Sequence, residues 1–177
     1  MLRGELYSLD DPELDEERER ARELCSSFNQ LPPFMEEVGP RILQVLLGKI
    51  PEKYTITVPF WCEYGYNIEI GENFFADHNT VILDCAKVRF GKNVFVAHNC
   101  CFKTSVQLSD PESRDQGLEY GKPITVGDNV WIGFGVQVKP GVTIGDNSII
   151  GDRSVVEEDI PSNCVAVGNP CHVIRTI

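Results

Sequence analysis

The chain is predicted to be a parallel β-solenoid of hexapeptide repeats behind a helical N-terminal cap. Three observations carry that prediction. Every sixth residue from Val126 is a β-branched aliphatic: Val126, Ile132, Val138, Ile144, Ile150 and Val156. The residues two places earlier, Ile124, Val130, Val136, Val142, Ser148 and Ser154, are all small or β-branched. Gly127, Gly133, Gly145 and Gly151 each follow an anchor directly. A helix cannot repeat in six. A strand-and-corner unit can, because it alternates inward and outward and then turns. Coils of such units stack at sheet spacing, about 4.8 Å.

Taken in order, the cap comes first. Asp11-Pro12 opens an acidic run in which Leu14, Ala21, Leu24 and Cys25 fall at helical spacing, so a helix is expected at about 12–26. Acidic residues in its first turn suit the helix dipole. The segment Asn29-Gln30-Leu31-Pro32-Pro33 breaks it, and a second amphipathic helix is expected at about 34–48. The cap is assigned to 1–57 and the solenoid to 58–177. Upstream of the clear repeat lies a weaker copy at Tyr64, Ile70, Ala76 and Ile82. The register slips by two at Ala86-Lys87 and resumes at Phe90, Val96 and Phe102. Thirteen hexads result, slightly more than four coils of three. The segment at about 104–123 carries no anchors and is expected to leave the solenoid as a protruding loop. Long loops on a rigid scaffold are usually functional.

Composition excludes several classes. Of 177 residues, 42% are hydrophobic and 24% charged, which is globular, and one domain suffices for that length. The net charge of −11 opposes general affinity for nucleic acid or anionic membranes, both of which need clustered cations. No apolar run approaches the roughly 20 residues of a membrane span. The first residues, MLRGELYSLDDPELDEERER, are acidic where a signal peptide is basic and then apolar, so a cytoplasmic protein is expected. Seven cysteines at irregular spacing, without CxxC, read as buried reduced thiols and no metal site.

These residues resemble the maltose and galactoside O-acetyltransferases, a branch of the hexapeptide-repeat acyltransferases that includes nodulation acetyltransferases. The matching stretches are GELY and DPEL within 4–14, YGYNIEIGENFFADHNTVILD at 64–84 and EYGKPITVGDNVWIG at 119–133. They continue with PGVTIGDNSIIG at 140–151, DIP at 159–161 and GNPCHVIR at 168–175. The resemblance implies a left-handed parallel β-helix, a homotrimer with active sites between subunits, acetyl-CoA as donor, and a hydroxyl of a sugar or similar small molecule as acceptor.

It also implies where the chemistry sits. In the family a His in the protruding loop, within T-A-T-H-P-L-D, takes the acceptor proton; such a base contributes about 10²–10⁴-fold. Here the run is Thr104-Ser105-Val106-Gln107-Leu108-Ser109-Asp110, with Gln107 at the catalytic position, and an amide accepts no proton near neutrality. Asp77 and Asp84 occupy the positions that face the acceptor and are grouped with Gln107 as catalytic. Arg18, Phe75, His78 and Arg114 are expected to bind the acceptor, and Trp131, Gly133 and Arg175 the cofactor. Glu158 stands where the family carries a Lys near the coenzyme A phosphate, and His172 where it carries a basic residue. Loss of the base His and of that cation leaves two alternatives to inherited acetyl transfer. One is a cleft repurposed for a CoA-independent dehydration, cyclisation or isomerisation of a small metabolite, with Asp77, Asp84 and Gln107 serving as acid, base and hydrogen-bond donor. The other is a non-catalytic binding protein.

Overall fold

The computed structural model describes residues 1–32, 35 and 37–177. Helix α1 spans Pro12–Asn29, with Pro12 in the first turn and the Asp11 carboxylate accepting from the Glu13 N–H at 3.0 Å. It buries Ala21, Cys25 and Phe28. Helix α2 spans Val38–Leu46 and buries Gly39, Leu43 and Leu46 against α1 and the first coil. The expected start of this helix at 34 lies outside the described residues.

Beyond the cap the chain winds as a β-helix with three parallel sheets. A polar face stacks Ile68–Glu69, Val88–Phe90, Ile124–Val126 and Thr143–Ile144. Its outward residues Glu69 and Arg89 pair with each other, and Lys87 joins them. An aromatic face stacks Tyr54–Ile56, Phe74–Ala76, Phe95–Val96, Trp131–Ile132, Ile149–Ile150 and Cys164–Val167. A third face stacks Phe60–Cys62, Thr80–Leu83, Cys101–Lys103, Gln137–Val138 and Val155–Val156. The last strand, His172–Thr176, folds back antiparallel onto Cys164–Val167.

All six anchors of the clear repeat are buried. In the coils ahead of the clear repeat, Phe74, Phe90 and Phe102 share the interior with the aliphatics, their ring centroids 4.9 and 5.0 Å apart. Six parallel rungs on the aromatic face exceed the four coils counted from hexads. The missed coils lie at the ends. Pairing begins with the Lys49–Glu69 bridge and Tyr54–Ile56, ahead of residue 58 and without the sixth-residue aliphatics. It ends at Ile160 and Cys164–Val167, between prolines.

One corner explains the slipped register. Asn73, Asn93, Asn129, Asn147 and Asn163 have φ of 58°, 55°, 55°, 58° and 61°. Each amide donates to the next at 2.9–3.0 Å, a ladder running the length of the solenoid. Asparagine tolerates left-handed backbone and also bonds locally. The ladder steps 20 residues, then 36 across the excursion, then 18 and 16. The coil from Asn73 to Asn93 is thus 20 residues long, and the extra two appear as the slip.

The excursion is ordered. Ser105–Gln107 and Leu118–Gly121 form an antiparallel hairpin around the short helix α3, Pro111–Asp115, and Tyr7–Ser8 of the N-terminal segment adds a third strand. Expected as a loop, it is a small sheet because Tyr7 and Ser8, a hundred residues away in the chain, complete it.

Candidate active site

Directly opposed residues of antiparallel strands point to the same side. Tyr7 opposes Glu119, and Glu119 opposes Gln107, so these three side chains form a row across the hairpin. The Tyr7 hydroxyl donates to the Glu119 carboxylate, and burial followed by that contact pushes the phenol far up. Glu119 is only 4% exposed. The row faces the coil at Cys85-Ala86, because a Cβ on Gly121 would lie 2.9 Å from the Ala86 Cβ and 3.2 Å from the Cys85 Sγ. Thr104 pins the hairpin's base: its hydroxyl accepts from the Ala86 N–H and donates to the Leu83 carbonyl. Gln107 is exposed at the far end, where it lines a cavity of about 60 Å³ with Leu9, Arg114, Gly117 and Leu118. Arg114 is turned back onto the Ser109 carbonyl at 2.7 Å.

Asp84 has another job than the acceptor-facing one expected of it. It is fully buried. One oxygen accepts the N–H groups of Glu63 and Tyr64 at 3.1 and 2.9 Å, the other those of Gly65 and Asn67 at 2.8 and 3.3 Å. It therefore fastens the bulge 63–67 that lies under α2, where Gly65 has φ 84° and a Cβ would strike the Leu46 carbonyl at 2.5 Å. Burial raises its pKa to about 6 against the pull of those amides. A carboxylate with its oxygens taken up by four donors cannot also serve an acceptor.

Beside it, at the hairpin's foot, Glu63 is half-buried, with its carboxylate bonded to no group among the described residues. Burial, then the nearby Glu119 and Asp84 carboxylates, raises Glu63 to about 7, while Arg18 and Lys103 pull the other way. Arg18 is a strut of the cap: it donates to the Tyr64 hydroxyl at 2.9 Å and the Leu9 carbonyl at 2.5 Å, and pairs with Asp15. Asp77 and His78 lie at the opposite end of the third-face strands. Asp77 accepts the His78 N–H, and the exposed His78 ring meets the Val58 carbonyl through Nδ1 at 2.5 Å.

The second group runs along the aromatic face. Phe75, Phe95 and Trp131 stack outward, with centroids 4.9 and 4.1 Å apart. Strand register carries the column on through Ile149 and Val165 to Arg175. Trp131 is 51% exposed, and Arg175 lies three strand spacings, roughly 14 Å, above it. A flat apolar strip ending in a guanidinium fits the chemistry of acetyl-CoA: pantetheine methylenes along the rings and a phosphate at the cation. Trp131, Ile149 and Arg175 would hold it. Gly133 follows Trp131 on the same coil, and packing alone requires a glycine there, since a Cβ would meet the Asp152 Oδ1 at 2.4 Å.

One chain does not bring the two groups together, for the column and the hairpin's foot belong to different faces. Of the expected residues, Gln107 and Arg114 share the hairpin cavity, and Phe75, Trp131 and Arg175 share the column. Sequence reading missed Glu63, Glu119, Tyr7 and Phe95. Glu63 falls outside the hexad register, and Glu119 becomes visible only through strand pairing.

A β-helix of hexapeptide repeats interrupted by one ordered hairpin, with an aromatic column ending in a cation, defines the class of hexapeptide-repeat acyltransferases. The comparisons narrow it. Residues 1–51 match the maltose acetyltransferase hexapeptide capping motif, and 123–158 the bacterial transferase hexapeptide model of six repeats. Galactoside O-acetyltransferase of Escherichia coli is 41% identical over 93% of this chain and 81% of its own. The crystal structure of a maltose O-acetyltransferase from Clostridium difficile superposes with a TM-score of 0.97 at 45% identity, covering 99% of this chain and 94% of that one. A galactoside acetyltransferase in complex with coenzyme A gives 0.95 at 40% identity, covering 99% and 88%. This chain belongs to the maltose and galactoside O-acetyltransferase family, and its solenoid is left-handed as theirs is.

The cofactor end makes one prediction. Glu157 and Glu158 are exposed on a corner, whereas the neighbouring Asp159 is engaged with the Thr143 N–H. Glu158→Lys should tighten acetyl-CoA binding about three- to tenfold in calorimetry, more so at low salt because exposed charges are screened.

Proposed function

We propose that this protein transfers acetyl from acetyl-CoA to a hydroxyl of a sugar or similar small molecule, as a homotrimer in the cytoplasm. The observation that carries the reading is the Phe75–Phe95–Trp131–Arg175 column, on a chain whose structural relatives include a galactoside acetyltransferase in complex with coenzyme A. Family membership favours acetyl transfer over a CoA-independent reaction. It also supports an enzyme over a passive binder.

The division of the site supports the trimer. Donor strip and hairpin foot lie on different faces, so an assembly that lays one chain's aromatic face against its neighbour's hairpin completes both. Such packing also covers Trp131, Ile149 and Trp61, which one chain leaves exposed. No helix among the described residues is long and apolar enough to cross a membrane.

Calorimetry with acetyl-CoA tests the donor, with one site per chain expected and no heat of binding contradicting it. Light scattering at micromolar concentration tests the assembly. Three times the chain mass is expected, and a monomer would contradict a site shared between subunits.

A further inference from the structure

We propose that Glu63 is the general base of the transfer, accepting the proton that Gln107 has no means of taking; this rests on the acetyl-transfer reading above. The geometry eliminates the alternatives one by one. Asp84 is sealed under four backbone amides. Glu119 is almost wholly buried and already accepts from Tyr7. His78 sits in solvent at the other end of the third-face strands, its Nδ1 on a carbonyl and its Nε2 3.6 Å from Asp77.

Asp77 lies beside His78, accepting its N–H away from the hairpin, and Glu63 differs from all four. It is reachable at the foot of the hairpin, and its carboxylate is bonded to no other described residue. It is also fixed from behind, because its own N–H is held by Asp84. The groups that face it are Glu119 from the hairpin, Asp84 from the next coil, Arg18 from α1 and Lys103 from the strand Cys101–Lys103. Two carboxylates and burial outweigh two cations and place its titration near neutrality, where a base best combines availability with proton affinity.

In the step this implies, the acceptor hydroxyl oxygen bonds to the thioester carbonyl carbon as its proton passes to a Glu63 carboxylate oxygen. The carbon–sulfur bond then breaks, the sulfur keeps the electron pair, and the Glu63 proton goes to it. The products are an O-acetyl ester and the coenzyme A thiol, and Glu63 is again ionised.

Steady-state acetyl transfer by the wild type, Glu63→Gln and Glu63→Asp, followed from about pH 5.5 to about pH 9, tests the proposal. For the wild type kcat/KM should rise with an apparent pKa near 7. Glu63→Gln should lower kcat by about 10²–10⁴-fold, erase that acid limb and leave acetyl-CoA affinity unchanged. Glu63→Asp should retain intermediate activity with a displaced limb. A Glu63→Gln enzyme within about threefold of wild type, or one keeping the same limb, overturns the role of Glu63 alone. If the Gln variant does not fold, the Asp variant decides: an unmoved limb overturns the role, a moved one supports it. A wild type that binds acetyl-CoA yet acetylates nothing overturns the acetyl-transfer reading and this role with it.

Discussion

Asp84→Asn is expected to cost about 3 kcal/mol of stability, because an amide nitrogen would turn a donor toward amides that now have an acceptor. For a domain of this size that is a fall in Tm on the order of 10 °C. The loss should be mainly of the bulge 63–67 and of the α2 end resting on it. A pH dependence accompanies it. Both Asp84, near 6, and Glu63, near 7, are raised above their unfolded values, so the native chain holds protons that the unfolded chain releases. Their contribution to stability is complete below about pH 4 and is lost as pH rises through 6 and 7. The midpoint of urea denaturation should therefore fall between mildly acidic and mildly alkaline buffer, and fall less steeply in Asp84→Asn. A midpoint unmoved by the substitution would mean that Asp84 does not fasten the bulge.

Gln107→His should raise turnover, and the structure says why an introduced imidazole would be useful. Glu119 stands directly across the hairpin, on the same side, with a carboxylate able to orient a ring nitrogen. In the wild-type background, where Glu63 already serves, a gain of about tenfold is expected. In the Glu63→Gln background the same change should restore on the order of 10²–10⁴-fold, the usual contribution of a positioned base. Turnover of the double variant, read against Glu63→Gln alone, checks this. No restoration would mean that the hairpin, with Leu108 after the substituted position, cannot aim the ring at the acceptor.

What the sequence disclosed and what it concealed follow from the range of the interactions. The hexad anchors are local and periodic, so Val126 to Val156 declared the solenoid, and Asp11-Pro12 declared the helix that it caps. The end coils, begun at Lys49 and Tyr54–Ile56 or cut by Pro161 and Pro170, went uncounted because they lack the sixth-residue aliphatics. Family motifs preserve spacing at Gln107, Trp131 and Arg175, so those positions could be singled out in one dimension. The site was illegible where function depends on pairing across a hundred residues: Tyr7 with Glu119, and Glu119 with Gln107. Asp84 shows the converse. A carboxylate at a motif position looks available in one dimension, and only the fold reveals four amides closing over it.

The most direct test of the account is acceptor-dependent release of coenzyme A thiol by the wild-type protein, given acetyl-CoA and a panel of simple sugars and galactosides, with the product identified by mass. Thiol release that requires acceptor and yields an O-acetyl sugar is the predicted result. Saturable acetyl-CoA binding with no acceptor in the panel increasing thiol release would contradict it.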